Sequence, residues 1–138
     1  MSGRFLDTNV LLYVASDDPV KADRAEAVVA EGGTISVQVL NEVANVARRK
    51  IGMSWSDTHV FITTVRGLLT VVSVTVETHE VGLLLAERYG LSTYDAMIAA
   101  AALNADCETL LSEDMHDGLL IDGRLRIVNP FREPWPDA

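Results

Sequence analysis

The chain has 138 residues, the size of one compact domain and long enough to bury a core without disulfides. Its 49% hydrophobic and 22% charged residues exclude a disordered chain, and its one cysteine, Cys107, excludes an internal bridge and fits a reducing compartment. A net charge of −9 weighs against a nucleic-acid partner, because phosphate binders usually carry a basic patch; the objection weakens where carboxylates surround a cation that reverses the local field.

Met1, Ser2, Gly3 and Arg4 open the chain without a leader pattern. Arg4 to Leu6 reads as a short strand running into a helix from Thr8 to about Ser16. Pro19 suits the first turn of the next helix, over Val20 to Ala30, which Gly32 and Gly33 stop. Thr34 to Ser36 is a second strand, followed by a helix from Val37 to Lys50 that Gly52 ends. Ser54 or Ser56 caps a helix reaching Leu69. Val71 to Val76 is continuously apolar or β-branched and reads as a buried strand. Glu77 to Tyr89 is a helix closed by Gly90. Ser92 or Thr93 caps a nearly all-apolar helix ending about Asn104. Its apolar run, Ala96 to Leu103, is too short to span a bilayer. Glu108 to Leu111 is a fourth strand; a polar loop with Gly118 and Gly123 leads to a last strand near Leu125 to Val128. Strands alternating with helices imply βαβ units and a parallel sheet, so the expectation is one soluble, cytoplasmic α/β domain over residues 1–138.

In such sheets functional groups gather beyond the carboxyl ends of the strands. Asp7, Ser36 and Asp114 all fall at predicted strand exits, and Glu42 lies about a turn and a half into the helix after one. Asp95 stands at the head of the apolar helix. Each has an ordinary explanation: a helix cap for Asp7, an exposed helix edge for Glu42, an offset to the helix dipole for Asp95, a polar loop for Asp114 and Asp117. Together they would repel one another unless a cation neutralised them, and oxygen ligands of this kind suit Mg²⁺ or Mn²⁺. Cys107 and the three histidines form no zinc pattern. No Ser-His-Asp or Cys-His arrangement and no glycine-rich phosphate loop is evident.

Four runs then carry a resemblance: Phe5 to Tyr13 (Phe-Leu-Asp-Thr-Asn-Val-Leu-Leu-Tyr), Ser36 to Glu42 (Ser-Val-Gln-Val-Leu-Asn-Glu), Thr93 to Ile98 (Thr-Tyr-Asp-Ala-Met-Ile) and Leu110 to Gly118 (Leu-Leu-Ser-Glu-Asp-Met-His-Asp-Gly). With Asn129-Pro-Phe near the end, they resemble, in order and over nearly the whole chain, the motifs of PIN-domain ribonucleases, the VapC-type toxins of type II toxin–antitoxin systems in particular. The resemblance implies a three-layer α/β/α sandwich around a mostly parallel five-stranded sheet. It implies Asp7, Glu42, Asp95 and Asp114 as catalytic, metal-holding acids, with Thr8, Asn9, Ser112 and, as an accessory, Asp117 in support. It further implies Mg²⁺-dependent hydrolysis of RNA, with Mn²⁺ as an alternative ion, a cognate antitoxin and a homodimer.

Arg48 and Arg49, in the run Arg48-Arg49-Lys50, are candidate RNA contacts, although cations at a helix C-terminus also complement its dipole. Val60, Phe61, Val65 and Leu68, with Trp55, are either core or an interaction face. Two other readings are open. One is a non-catalytic PIN-like binding module. The other is a haloacid-dehalogenase-type phosphatase, which would need an Asp where Asn9 stands and a lysine later than Lys50, the last in the chain.

Overall fold

The computed structural model describes residues 3–135; Met1 and Ser2, on which the absence of a leader pattern partly rests, lie outside them. The elements run β1 (Arg4–Leu6), α1 (Thr8–Tyr13), α2 (Pro19–Ala30), β2 (Thr34–Ser36), α3 (Val37–Val46) with a π-helical turn over Ala47–Ile51, α4 (Trp55–Leu68), β3 (Thr70–Val72), α5 (Val76–Tyr89), α6 (Thr93–Asn104), β4 (Thr109–Leu111), β5 (Leu120–Ile121) and β6 (Leu125–Val128). The sheet order is β3-β2-β1-β4-β6-β5, parallel throughout except for β5 against β6, with helices on both sides.

The sheet has six strands where five were expected. The added strand, β5, forms a hairpin with β6, pairing Ile121 with Leu125. Asp122 and Gly123 turn it, both at positive φ (51° and 67°), a conformation that Asp-Gly adopts readily. The sequence signal was present, inside a segment read as a plain polar loop. The stretch from Val71 to Val76 also departs from expectation. Its strand is short and lies at the sheet edge, and Val74 and Val76 are exposed. Thr75 instead caps α5, exchanging hydrogen bonds with Thr78, so the β-branched run is divided between an edge strand and a helix start. The helix after β1 ends at Tyr13, about a turn early.

The central strands carry the core. Phe5, Leu6, Ile35, Leu110 and Ile127 are fully buried. The run Ala96 to Leu103 in α6 is buried on every side, as an all-apolar helix must be. Its alanines permit close approach to its neighbours. Against α5 the fit is tightest at Gly82, where a Cβ would fall 2.4 Å from Met97 Sδ.

From β1 the chain moves to one side, through β2 and β3, and returns to the other through β4. The boundary between β1 and β4 is therefore a switch point, where an open parallel sheet leaves a crevice at its carboxyl edge. Register sets what stands there. Leu6 pairs with Leu111, so the next residues, Asp7 and Ser112, leave the sheet side by side.

Candidate active site

Asp7 follows β1 and is almost fully buried, at 4% exposure. Its Oδ1 accepts from the backbone N–H of Thr8 at 2.7 Å, capping α1. Its Oδ2 accepts from Ser112 Oγ at 2.7 Å and from Asn9 Nδ2 at 3.1 Å. The capping role and a role at the site therefore coexist, one on each oxygen.

Glu42 reaches the same mouth from α3, which Ser36 caps through the N–H of Val39. Its two oxygens are held separately. Thr8 Oγ1 donates to one at 3.1 Å, and Gln38 Nε2 donates to the other at 2.9 Å while also bonding the carbonyl of Tyr94 at 3.1 Å. Gln38 was not singled out from sequence. Its signal was the four-residue spacing to Glu42, which puts both on one helix face.

Asp95 lies in the first turn of α6, capped by Ser92 through the N–H of Asp95 at 3.1 Å. Asp114, two residues beyond Ser112, accepts from Asn9 Nδ2 at 3.2 Å. Asn9 thus spans Asp7 and Asp114, and its Oδ1 takes the N–H of Glu113 at 3.1 Å, which fixes the loop after β4. As the side chains lie, no three acids, histidines or cysteines among the described residues close around one point. Asn9 and Thr8 stand among them as neutral spacers.

The acids act on one another electrostatically. Burial pushes the Asp7 carboxyl up to about 6, against the pull of its hydrogen bonds from Ser112 and Thr8, and the charges of Asp95 and Glu42 raise it further. Asp95 is also raised, first by burial and then by Asp114 and Glu42. The side-chain donors that Asp7, Glu42 and Asp114 accept from are hydroxyls and amides. These three carboxylates, with Asp95 in their field, are hard oxygen donors of net negative charge. That chemistry fits Mg²⁺ or Mn²⁺ and does not fit a soft-metal site.

The remaining candidates are placed elsewhere. Asp117 accepts from the N–H of Asn129 at 2.8 Å and from Arg132, and both hold its carboxyl below the usual range. It ties the loop after β4 to the segment after β6. Arg48 donates to the carbonyl of Met53 and lies 4.2 Å over the Trp55 ring; Arg49 bonds Asn45 Oδ1 at 3.1 Å. His116 is exposed. On α4, Val65 is buried and Phe61 packs against the core, whereas Trp55, Val60 and Leu68 are exposed. Among the described residues no helix is long and apolar enough to cross a membrane.

Comparison with known proteins follows the same lines. Solved structures share the fold. A toxin–antitoxin complex from Klebsiella pneumoniae aligns with a TM-score of 0.70 at 22% identity, covering 93% of this chain and 98% of that one. VapC20 of Mycobacterium tuberculosis, a sarcin–ricin loop cleaving toxin, aligns at 0.63 and 16% identity, covering 81% and 90%. The DNA-bound VapBC of Salmonella typhimurium aligns at 0.61 and 21% identity, covering 92% and 97%. No curated protein matches the sequence. The PIN domain family model matches residues 4–116, a span that takes in β1, β4 and all four acids, and the chain belongs to the PIN domain family.

Proposed function

We propose that this PIN domain is a divalent-metal-dependent endoribonuclease and the toxin of a toxin–antitoxin pair. The observation that carries the reading is that hydroxyl and amide side chains link Asp7 to Asp114 through Asn9 and hold Glu42 through Thr8 and Gln38, with the Asp95 charge felt by Asp7. Such a set is costly unless a cation completes it. The solved toxins that share the fold support the choice of RNA and of a protein antitoxin. The same reading treats the whole chain as one unit working in the cytoplasm, with Mg²⁺ as the ion, Mn²⁺ as its substitute, and the exposed Trp55, Val60 and Leu68 of α4 as part of a homodimer face.

Asp7, Asp95 and Asp114 would hold the metal, and Glu42 would either hold a second ion or orient the attacking water. A bound divalent ion supplies Lewis-acid stabilisation of the phosphate and a lowered water pKa. The protein's part is orientation. Ser112 and the N–H of Thr8 fix both oxygens of Asp7. Thr8 and Gln38 fix Glu42 by one bond to each oxygen, which leaves its remaining lone pairs for a ligand or a proton. Asn9 sets the distance between Asp7 and Asp114.

The test is incubation of total cellular RNA with purified protein in Mg²⁺, in Mn²⁺ and in EDTA, beside Asp95→Asn. Discrete fragments that require metal and disappear in the variant are expected. A folded, metal-binding protein that cuts nothing in any arm would overturn the nuclease and leave a PIN-like binding module.

A further inference from the structure

The four acids do not reach the mouth by equivalent routes. Asp7 and Asp114 follow β1 and β4, which pair side by side, and Asn9 bonds both. Glu42 and Asp95 come instead from helices, α3 and α6. These two helices are seated on different neighbours: α3 packs against α1 and α4, and α6 against α5. Among the described residues one hydrogen bond joins α3 to α6, from Gln38 Nε2 to the carbonyl of Tyr94 at 3.1 Å. Tyr94 directly precedes Asp95. The same nitrogen donates to Glu42 Oε2 at 2.9 Å.

The chemistry of that position is restrictive. Both partners are acceptors, so only the nitrogen end of the amide can face them, and it has one hydrogen for each. Asparagine is one methylene shorter. Glutamate would set a third acceptor against the other two. Lysine would neutralise Glu42 and compete with a metal ion. Glutamine donates twice from the end of a long side chain and brings no charge. What it opposes is electrostatic: Glu42 and Asp95 repel one another, and that repulsion acts to part the two helix segments that carry them.

We propose that Gln38 is a positioning residue that clamps Glu42 to the head of α6 and so sets the spacing of Glu42 and Asp95 across the mouth. The proposal rests on the nuclease reading above and adds to it the residue that couples the two helix-borne acids. The Tyr94 end of the clamp is open to solvent, so the simpler alternative is that water replaces the amide. That alternative predicts that losing Gln38 changes neither metal binding nor cleavage.

The test compares the full-length protein with Gln38→Met, which keeps the apolar stem and the helix propensity but has no donor, and with Gln38→Ala. Mn²⁺ affinity is measured by electron paramagnetic resonance of the free ion. Steady-state cleavage is measured on an oligoribonucleotide spanning a site that the parent cuts in total RNA. Both variants are expected to stay folded, to bind Mn²⁺ about tenfold more weakly and to lose about tenfold in kcat at saturating Mn²⁺, the lower end of what groups that orient metal ligands contribute, with KM for RNA unchanged. In a Glu42→Ala background Gln38→Met should cost less than about twofold further, because the clamp then has nothing to hold. Unchanged Mn²⁺ affinity and kcat in both variants would overturn the proposal and leave the nuclease standing. A loss of the same size in the Glu42→Ala background would overturn it as well, since Gln38 would then not act through Glu42. A parent protein that neither binds Mn²⁺ nor cuts RNA would overturn the clamp and the nuclease together.

Discussion

Glu113 and Asp114 are neighbours in sequence and leave β4 on the same loop, yet they enter opposite electrostatic environments. Burial raises Glu113, but Lys21 and Tyr13 more than offset it, so its carboxyl ends below the usual range. The Lys21 ammonium also lies 4.6 Å from the centre of the Tyr13 ring, and that ring meets Phe131 edge-on at 4.7 Å. This is a closed structural cluster that joins α1, α2 and the loop after β4. Asp114 instead faces Asn9, Asp95 and, through Asn9, Asp7, where no cation is supplied and the buried acids are pushed up. On this loop the fold pairs its structural carboxylate, Glu113, with a cation, Lys21. At the mouth it withholds the cation, and it spends Ser112, Thr8, Asn9 and Gln38 on orientation instead.

The severest test of that contrast is Asp7→Asn. Cleavage is expected to fall by at least about a hundredfold, the scale of losing a group that acts on the transition state, while the metal-free fold is kept or stabilised because a buried charge is gone. A folded Asp7→Asn protein of full activity would show that the mouth is not the active site.

The next effect is on stability, and its sign separates the two regions. Burial pushes the Asp7 carboxyl up to about 6 in the folded protein, above its ordinary value of 3.8, so between these values the folded protein binds more protons than the unfolded chain. Metal-free protein should therefore lose stability as pH rises from about 4 to about 7, by about 3 kcal/mol from this group, with Asp95 acting in the same direction. Glu113 and Asp117 have lowered values, so their contribution is present above their unfolded pKa and is lost as pH falls through the folded one, in the acid range. Chemical denaturation across pH, with EDTA and with Mg²⁺, measures both limbs. Mg²⁺ should stabilise more at pH 7 than at pH 4.5, and Asp7→Asn should remove most of the neutral limb. A metal-free stability that rises steadily to pH 7 would contradict the assignment.

Smaller effects follow from the orienting groups. Ser112→Ala removes a buried hydrogen bond to Asp7 and the cap on the N–H of Met115, and should cost about 1–3 kcal/mol together with a measurable loss of metal affinity. Loss of stability with unchanged metal affinity would make Ser112 purely structural. Smallest is Lys21→Met, which releases a half-exposed pair and should cost about 1 kcal/mol while leaving metal affinity unaltered. A change in metal affinity as large as that of Ser112→Ala would mean that the two clusters are not separate.

How much was legible in the sequence differs between elements for physical reasons. Asp7 and Asp114, just past strand exits, and Asp95, at a helix head, stand at local boundaries that short-range pattern marks, whereas Glu42, inside α3, has no such marker. The buried helix from Ala96 to Leu103 was legible from composition alone. The Val71 to Val76 run was misread because β-branched residues report fit to a pleated surface, and whether that surface is central or at an edge depends on the other strands. The second strand of the last hairpin was missed although Asp122-Gly123 marked its turn, because a two-residue strand exists only through its pairing with β6.

Sequence by itself determined the alternation of helices with the five principal strands and put Asp7, Asp95 and Asp114 at the ends of elements, since these follow from local propensity, capping and hydrophobic period, while its ordered motifs pointed to the family. Only the tertiary structure decided that Asn9 lies between Asp7 and Asp114, that Gln38 and Thr8 divide Glu42 between them, and that Glu113 is paired with a cation and Asp114 is not. Hydrogen-bond partners 34 to 105 residues apart are brought together by sheet register and helix packing, which no local stretch of the chain encodes.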